Sequence, residues 1–302
     1  MNPLKLALDW TPNINHIGFF VAKEKGFYKS LGIELDIINP AHDNYALTPA
    51  KKVELGKADF ALCPTESIIS YQTKEKPFNL IAIGAIFQED VSAIVVKSSS
   101  TIKRPRGLDG KSYSSYKARY EDAIIKEMIK NDGGKGDIKI IYPEKLGIWN
   151  TLLEDVAHST WIFMNWEGVE AEQSAIPFNY FKMKDYGVPY SYSPVIACGL
   201  TNASKKPDQI SSFLKATREG FLYCKDHPDN AVAILSKYLS EEDKTINLRK
   251  ALNLSLPYFG SKENLDFIDE KVIADFVAWI KANNLETKDI NPTDLYTNNF
   301  FN

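Results

Sequence analysis

The chain has 302 residues, with 36 Lys or Arg against 39 Asp or Glu, and its formal net charge of −3 excludes the basic excess of a nucleic-acid binder. Hydrophobic residues at 44% and charged residues at 25% are the make-up of a globular protein able to bury its own core. Three scattered cysteines, Cys63, Cys198 and Cys224, give neither a full disulfide framework nor zinc-ligand spacing, and no apolar run approaches the ~18 residues a membrane span needs.

In chain order, residues 4–8 form a compact apolar run that predicts a strand. Residues 16–31 carry apolar positions at helical spacing, with Gly26 and Gly32 punctuating the end. Residues 33–38 predict the second strand, 48–55 a short helix, 58–62 the third strand, 65–73 a helix and 79–87 the fourth strand. Strands alternating with helices imply βαβ units, a parallel sheet and right-handed crossovers. A second cycle begins at Val91. It has a strand over 92–97, a short strand over 111–114, and an amphipathic helix over 121–131 that the cluster Gly133-Gly134-Lys135-Gly136 ends. Then come a strand over 138–142, a helix over 151–157, a strand over 160–164, a short helix over 167–172, and late strands over 179–182 and 194–199. Beyond residue 207 the pattern is wholly helical, with candidates at 207–227, 230–239, 241–252 and 268–283. No internal sequence repeat is present. What recurs is the order: one α/β set, a second α/β set, then a helical tail.

Specific residues sharpen that order. The run Leu8-Asp9-Trp10-Thr11-Pro12-Asn13-Ile14-Asn15-His16, followed by Ala22-Lys23-Glu24-Lys25-Gly26-Phe27-Tyr28, closely resembles the thiamin-pyrimidine family. So do Gly56-Lys57-Ala58-Asp59-Phe60, the stretch from Trp161 through Asn165, Trp166 and Glu167 to Glu172, and Asp185-Tyr186-Gly187-Val188-Pro189. This family includes ABC-transporter binding proteins for thiamin precursors and the fungal-type enzyme that makes hydroxymethylpyrimidine phosphate. The resemblance implies an α/β, two-lobed, type II periplasmic-binding-protein-like fold with a ligand cleft between the lobes. By analogy lobe one takes residues 1–88 and 193–302 and lobe two takes 89–192.

A planar heteroaromatic ligand needs flat partners for stacking and a few polar groups at its edge. Trp10 lies just past the carboxyl end of the first strand, where ligands of open α/β sheets bind, and Asn13, Asn15 and His16 follow on the same loop. Trp161, Asn165, Trp166 and Glu167 form a second cluster at a strand end. Glu167 is the expected edge reader, since a carboxylate accepts paired N–H bonds from an aminopyrimidine. Glu170 and Glu172 read as solvated helix residues. Of the tyrosines Tyr113, Tyr116, Tyr120, Tyr186, Tyr190 and Tyr192, the positions of Tyr116 and Tyr186 favour them as cleft-lining. Thr65 reads as a helix N-cap, and with Glu66 it also faces the ligand side. Ser114, Ser115 and Arg119 precede a helix and are the candidate phosphate contacts. Phosphate-handling relatives carry a glycine-rich turn there, and this chain has no glycine in that run.

The resemblance also brings an enzyme alternative. The synthase branch uses a lysine for pyridoxal phosphate and a histidine that is consumed. Aligned on Gly56-Lys57-Ala58-Asp59, these fall on Cys63 and Ser67, which can supply neither an aldimine nor an imidazole. No Gly-x-Ser-x-Gly, His-Glu-x-x-His or P-loop pattern replaces them. The expectation is a monomeric binding protein for a thiamin-precursor pyrimidine that works with an ABC permease, with no catalytic residues, cofactor, metal, nucleic-acid partner or membrane insertion. The alternative is a cytoplasmic enzyme of altered chemistry or a ligand sensor. Residues 1–5 lack the regions of a signal peptide. Two locations stay open: the cytoplasm if Met1 is the native start, or the periplasm or cell surface if a leader has been removed.

Overall fold

The computed structural model describes residues 3–144 and 148–301, and of Ile148 the backbone only. The Met1-Asn2 start therefore lies outside the described residues. The chain forms two compact units. The first takes residues 1–90, 191–274 and 288–302, and the second takes 91–190 and 275–287. The sequence-based division assigned 275–287 to the first lobe. That segment groups with the second unit because its side chains pack there: Phe276 meets Tyr120 and Tyr190 edge-on, and Glu286 pairs with Arg119.

In the first unit the strands are β1 (Leu4–Ala7), β2 (Leu35–Ile38), β3 (Phe60–Cys63) and β4 (Leu80–Ala85). The second unit contains β5 (Ser92–Lys97), β6 (Lys111–Ser114), β7 (Ile138–Ile141), β8 (Ser159–Phe163) and β9 (Phe178–Phe181), and β10 (Val195–Gly199) returns to the first. The sheet orders are β2-β1-β3-β10-β4 and β7-β6-β8-β5-β9. The two orders are equivalent, because in each sheet the strand just after the chain enters the unit inserts before the last position. That strand runs antiparallel: β10 against β3 and β4, and β5 against β8 and β9. The expected all-parallel sheet is corrected on this point. Hydrophobic periodicity registers burial and is blind to strand direction, and β5 and β10 read as buried apolar runs like their parallel neighbours.

Helices of the first unit are α1 (Ile17–Glu24), α2 (Phe27–Ser30), α3 (Pro49–Glu54) and α4 (Thr65–Thr73). The second unit adds α5 (Glu121–Asn131), α6 (Ile148–Leu153) and α7 (Glu167–Gln173). The remainder are α8 (Leu200–Lys205), α9 (Pro207–Asp226), α10 (Pro228–Leu235), α11 (Leu248–Ser255) and α12 (Glu270–Ala282). The helix expected over 16–31 is two, because Gly26 takes a left-handed φ of 76° and restarts the chain at Phe27. The helix expected over 241–252 begins only at Leu248, where the Asn247 side chain accepts the Lys250 N–H as a cap. The tail is not wholly helical. Ala82 of β4 donates to Leu295 O and accepts from Thr297 N–H, so the C-terminal segment pairs with an edge strand.

The core of the first unit fixes the loop after β1. Phe213 of α9 stacks on Phe60 of β3 at 4.0 Å between ring centroids and on Tyr28 at 5.7 Å. Burying such a ring contributes roughly 1.5–3 kcal/mol. Helix α1 lies against α9 at two glycines. A Cβ on Gly220 would stand 2.1 Å from the Gly18 carbonyl oxygen, so only glycine permits this approach. Because α1 starts directly after His16, that packing clamps the loop carrying Trp10.

Candidate functional site

In the first unit the candidate residues gather past the carboxyl ends of β1 and β3. Asn13 has an extended backbone and caps the 3-10 turn Ile14–His16, its Oδ1 accepting the Asn15 N–H at 2.9 Å. Its Nδ2 donates to Thr11 O at 3.2 Å. The Asn13 backbone N–H donates to His16 Nδ1 at 3.2 Å, so Nδ1 is the acceptor and Nε2 carries the ring proton. Nε2 lies 2.8 Å from Asp9 Oδ1 and donates to it. His16 is fully buried, whereas the Asp9 side chain is 23% exposed. Asp9, part of the Leu8–His16 motif, is therefore the partly exposed member of this hydrogen-bonded group. His16 and Asn13 hold its loop.

Trp10 is half-buried, and its ring lies 5.2 Å from that of Tyr45 at 54°. Tyr45 follows Asn44, and both have left-handed backbones (φ 58° and 49°). Asparagine accepts that region readily, but tyrosine is held there at a cost. Burial pushes the Tyr45 phenol up, with Thr11 opposing it. No periodicity in the sequence signals that this turn returns onto Trp10. Thr65 is the first residue of α4 and not its cap, a position that Pro64 holds without a side-chain bond. The Thr65 N–H and hydroxyl both donate to Tyr192 O at 3.0 Å, tying α4 to the chain entering β10. Glu66 is buried beside Cys63. Burial, then the charges of Asp9 and Glu66, push that thiol up and suppress thiolate chemistry.

In the second unit β6 and β8 run parallel with Ser114 in register with Thr160, so β8 continues to Phe163 beyond the end of β6. Glu167 opens α7, and its Oε2 accepts the Phe163 N–H at 3.0 Å. Tyr116 borders it: burial first, then the charges of Glu167 and Glu121, push its phenol well above the usual range. Trp161 is 9% exposed and meets Tyr190 edge-on at 4.9 Å. Asn165 is buried at the same strand end. Trp166 is 5% exposed and occupies the position before α7, so it packs in the interior and offers little face.

Tyr186 is not brought to this group. Its carbonyl accepts from Asn131 Nδ2, and its phenol is raised by burial and by Asp132, at the C-terminal end of α5. Tyr116 is beside Glu121 at the other end of that 11-residue helix, about 15 Å away along its axis. The phosphate candidates are engaged within the unit. Ser114 bonds Thr151 Oγ1 at 2.6 Å, Ser115 donates to Asp122 at 2.8 Å, and Arg119 pairs with Glu286.

Residues 13–231 match the model of a family described as NMT1/THI5 like. The chain belongs to this family. A Haemophilus influenzae member named for thiamine biosynthesis is 25% identical over 280 residues, covering 91% of this chain and 86% of that one. The formylaminopyrimidine-binding protein of Halalkalibacterium halodurans is 20% identical, covering 93% and 86%. The 4-amino-5-hydroxymethyl-2-methylpyrimidine phosphate synthase of Legionella pneumophila is 23% identical, covering 84% and 79%. Among solved structures, the alkanesulfonate-binding protein SsuA from Xanthomonas axonopodis pv. citri superposes with a TM-score of 0.73 at 12% identity, covering 98% and 99%. A Candida albicans protein described as having the generic periplasmic binding protein fold gives 0.68 at 14%, covering 99% and 97%. The fold of this NMT1/THI5-like chain is thus the two-lobed α/β fold of periplasmic binding proteins.

Two acids, Asp9 and Glu167, are each fixed by an internal donor and each lie near aromatic rings. Within its own unit, each acid can accept N–H groups of a flat heterocycle beside an aromatic ring. Among the described residues no group of three or more His, Cys, Asp or Glu could hold a metal ion, and no helix is long and apolar enough to cross a membrane. A half-open cavity of about 610 Å³ lies at the other end of the first sheet, where Asn79 precedes β4 and Leu200 follows β10, and none of the candidate residues lines it.

Proposed function

We propose that this family member binds an unphosphorylated thiamin-precursor pyrimidine, of the hydroxymethylpyrimidine or formylaminopyrimidine type, and delivers it to an ABC permease from the periplasm or cell surface. The observation that carries the reading is the Glu167 carboxylate at the end of β8, held by the Phe163 amide and bordered by the Tyr116 phenol. An aminopyrimidine edge presents N–H donors that a carboxylate accepts with charge assistance. The first unit on its own carries a comparable pair, the half-buried Trp10 ring and the partly exposed Asp9 carboxylate. The name of the Halalkalibacterium halodurans relative supports the ligand class, and the periplasmic-binding-protein fold supports a carrier.

Isothermal calorimetry with hydroxymethylpyrimidine, formylaminopyrimidine, thiamin and pyridoxal phosphate tests the reading. Heat is expected with an unphosphorylated aminopyrimidine. Absence of heat with every pyrimidine would sink it.

A further inference from the structure

The turn over residues 115–118 presents backbone N–H groups at the start of α5, the arrangement that receives anions in many proteins. Here those donors already have an acceptor. Glu121 Oε1 accepts the Tyr116 N–H at 3.0 Å and the Tyr113 hydroxyl at 2.7 Å, and Oε2 accepts the Ala118 N–H at 3.1 Å. Glu121 is 1% exposed. The neighbouring donors are taken in the same way: the Ser115 hydroxyl by Asp122, whose other oxygen accepts from Tyr142, and the Arg119 guanidinium by Glu286. Three carboxylates therefore take up the donors that a phosphate at this turn would need.

We propose that Glu121 is a specificity residue: its carboxylate occupies the anion nest of the turn and excludes a phosphorylated or otherwise anionic ligand group. A phosphate approaching the turn would have to displace a buried carboxylate from three hydrogen bonds and would meet the charges of Asp122 and Glu167 nearby. An uncharged ligand meets neither obstacle. The inference deepens the pyrimidine reading by naming the charge state of its ligand, and the arrangement around Glu121 does not depend on that reading.

The experiment uses inorganic phosphate as probe, so its result is independent of whether any pyrimidine binds. The unmodified protein is expected to show no phosphate binding by calorimetry. Glu121→Ala vacates the nest and is expected to gain phosphate affinity by about tenfold or more, as charge-assisted bonds to two freed amides allow. Asp122→Asn leaves the nest filled and is expected to gain none. A folded Glu121→Ala protein, checked by circular dichroism, with no gain over the unmodified protein overturns the proposal. Should that variant fail to fold, the unmodified protein still decides. The amide resonances of Tyr116 and Ala118 are expected to stay fixed as phosphate is added, and movement of both overturns the proposal. Failure of pyrimidine calorimetry alongside these results would remove the pyrimidine reading and leave Glu121 as an anion excluder.

Discussion

The two units share one strand order, yet their candidate residues are used differently. In the first unit the polar residues past β1 spend their bonds on each other: Asn13 caps a turn, His16 spans Asn13 and Asp9, and the group left partly exposed is Asp9 beside Trp10. In the second unit the turn after β6 spends its donors on carboxylates, and Glu167 accepts the Phe163 amide. The first loop is thus a neutral hydrogen-bonded frame around one acid and one ring. The second is an acidic turn whose backbone amides are closed by a buried carboxylate. Most polar residues in a motif-rich loop build its shape, and few of them remain for a ligand.

Breaking the frame should have the largest effect. His16→Ala removes a fully buried ring and leaves the Asn13 N–H and Asp9 without their partner. The expected loss is about 3 kcal/mol of folding stability, read by urea denaturation. Ligand affinity should fall with it, because Asp9 loses its orientation. An unchanged midpoint would mean that the loop is held by other contacts. On the second unit, Glu167→Gln keeps shape and removes charge, and should weaken aminopyrimidine binding by about 2 kcal/mol, some 30-fold. Trp10→Ala should cost about tenfold through lost stacking. If Trp10→Ala proved more damaging than Glu167→Gln, recognition would rest on the ring face and not on the edge.

Much of this fold was readable in advance, and the reasons are local. The expected bounds of α4, β5, β6 and α5 coincide with those observed; β5 and α5 carry clear apolar patterns, whereas β6, Lys-Ser-Tyr-Ser, is marked mainly by the Asp109-Gly110 turn before it. Strand direction in β5 and β10 was not readable, because it depends on where the chain re-enters a sheet. Within the candidate site, strand-end position pointed to Trp10 and Glu167. It could not show that His16 is consumed by Asn13 and Asp9, that Tyr45 returns onto Trp10, or that Glu121 folds back on its own turn. Each of these is a hydrogen bond or ring contact set by loop geometry, which leaves no period in the sequence.

The buried acids give a contrast that pH can measure. Glu121 has three donors, whereas Asp266 in the first unit lies 3.3 Å from Arg218 Nε with no hydrogen bond to either oxygen. Burial pushes Asp266 up from 3.8 to about 7, with Arg218 opposing. A raised acid holds its proton in the folded state after the unfolded chain has lost it. Its contribution to stability is therefore full below about 4 and falls as pH rises toward 7. Asp266→Asn should flatten this part of the stability curve, and asparagine suits the left-handed φ of 66° at this position. Denaturation midpoints at several pH values between 4 and 8 check it. Identical slopes in the two proteins would assign the decline elsewhere, with Glu121, also raised by burial, the next group to test.

The smallest effect is expected at Tyr186, which lies at the end of α5 away from Glu121. Tyr186 belongs to the same motif-bearing segment as Val188 and Pro189, and its ring meets Phe181 edge-on at 6.1 Å. Its neighbours are Asn131, Asp132 and Arg104, at the end of α5 remote from Glu121. Tyr186→Phe removes only a hydroxyl there, so ligand affinity should change by less than about 0.5 kcal/mol, the usual range for a substitution away from a site. Tyr116→Phe, at the other end of the same helix, removes a hydroxyl beside Glu167 and should weaken binding measurably. Calorimetry on the pair compares two tyrosines of one unit by position alone. Equal losses would mean that ligand contact extends along the whole of α5, and the turn closed by Glu121 would then be one edge of a larger site.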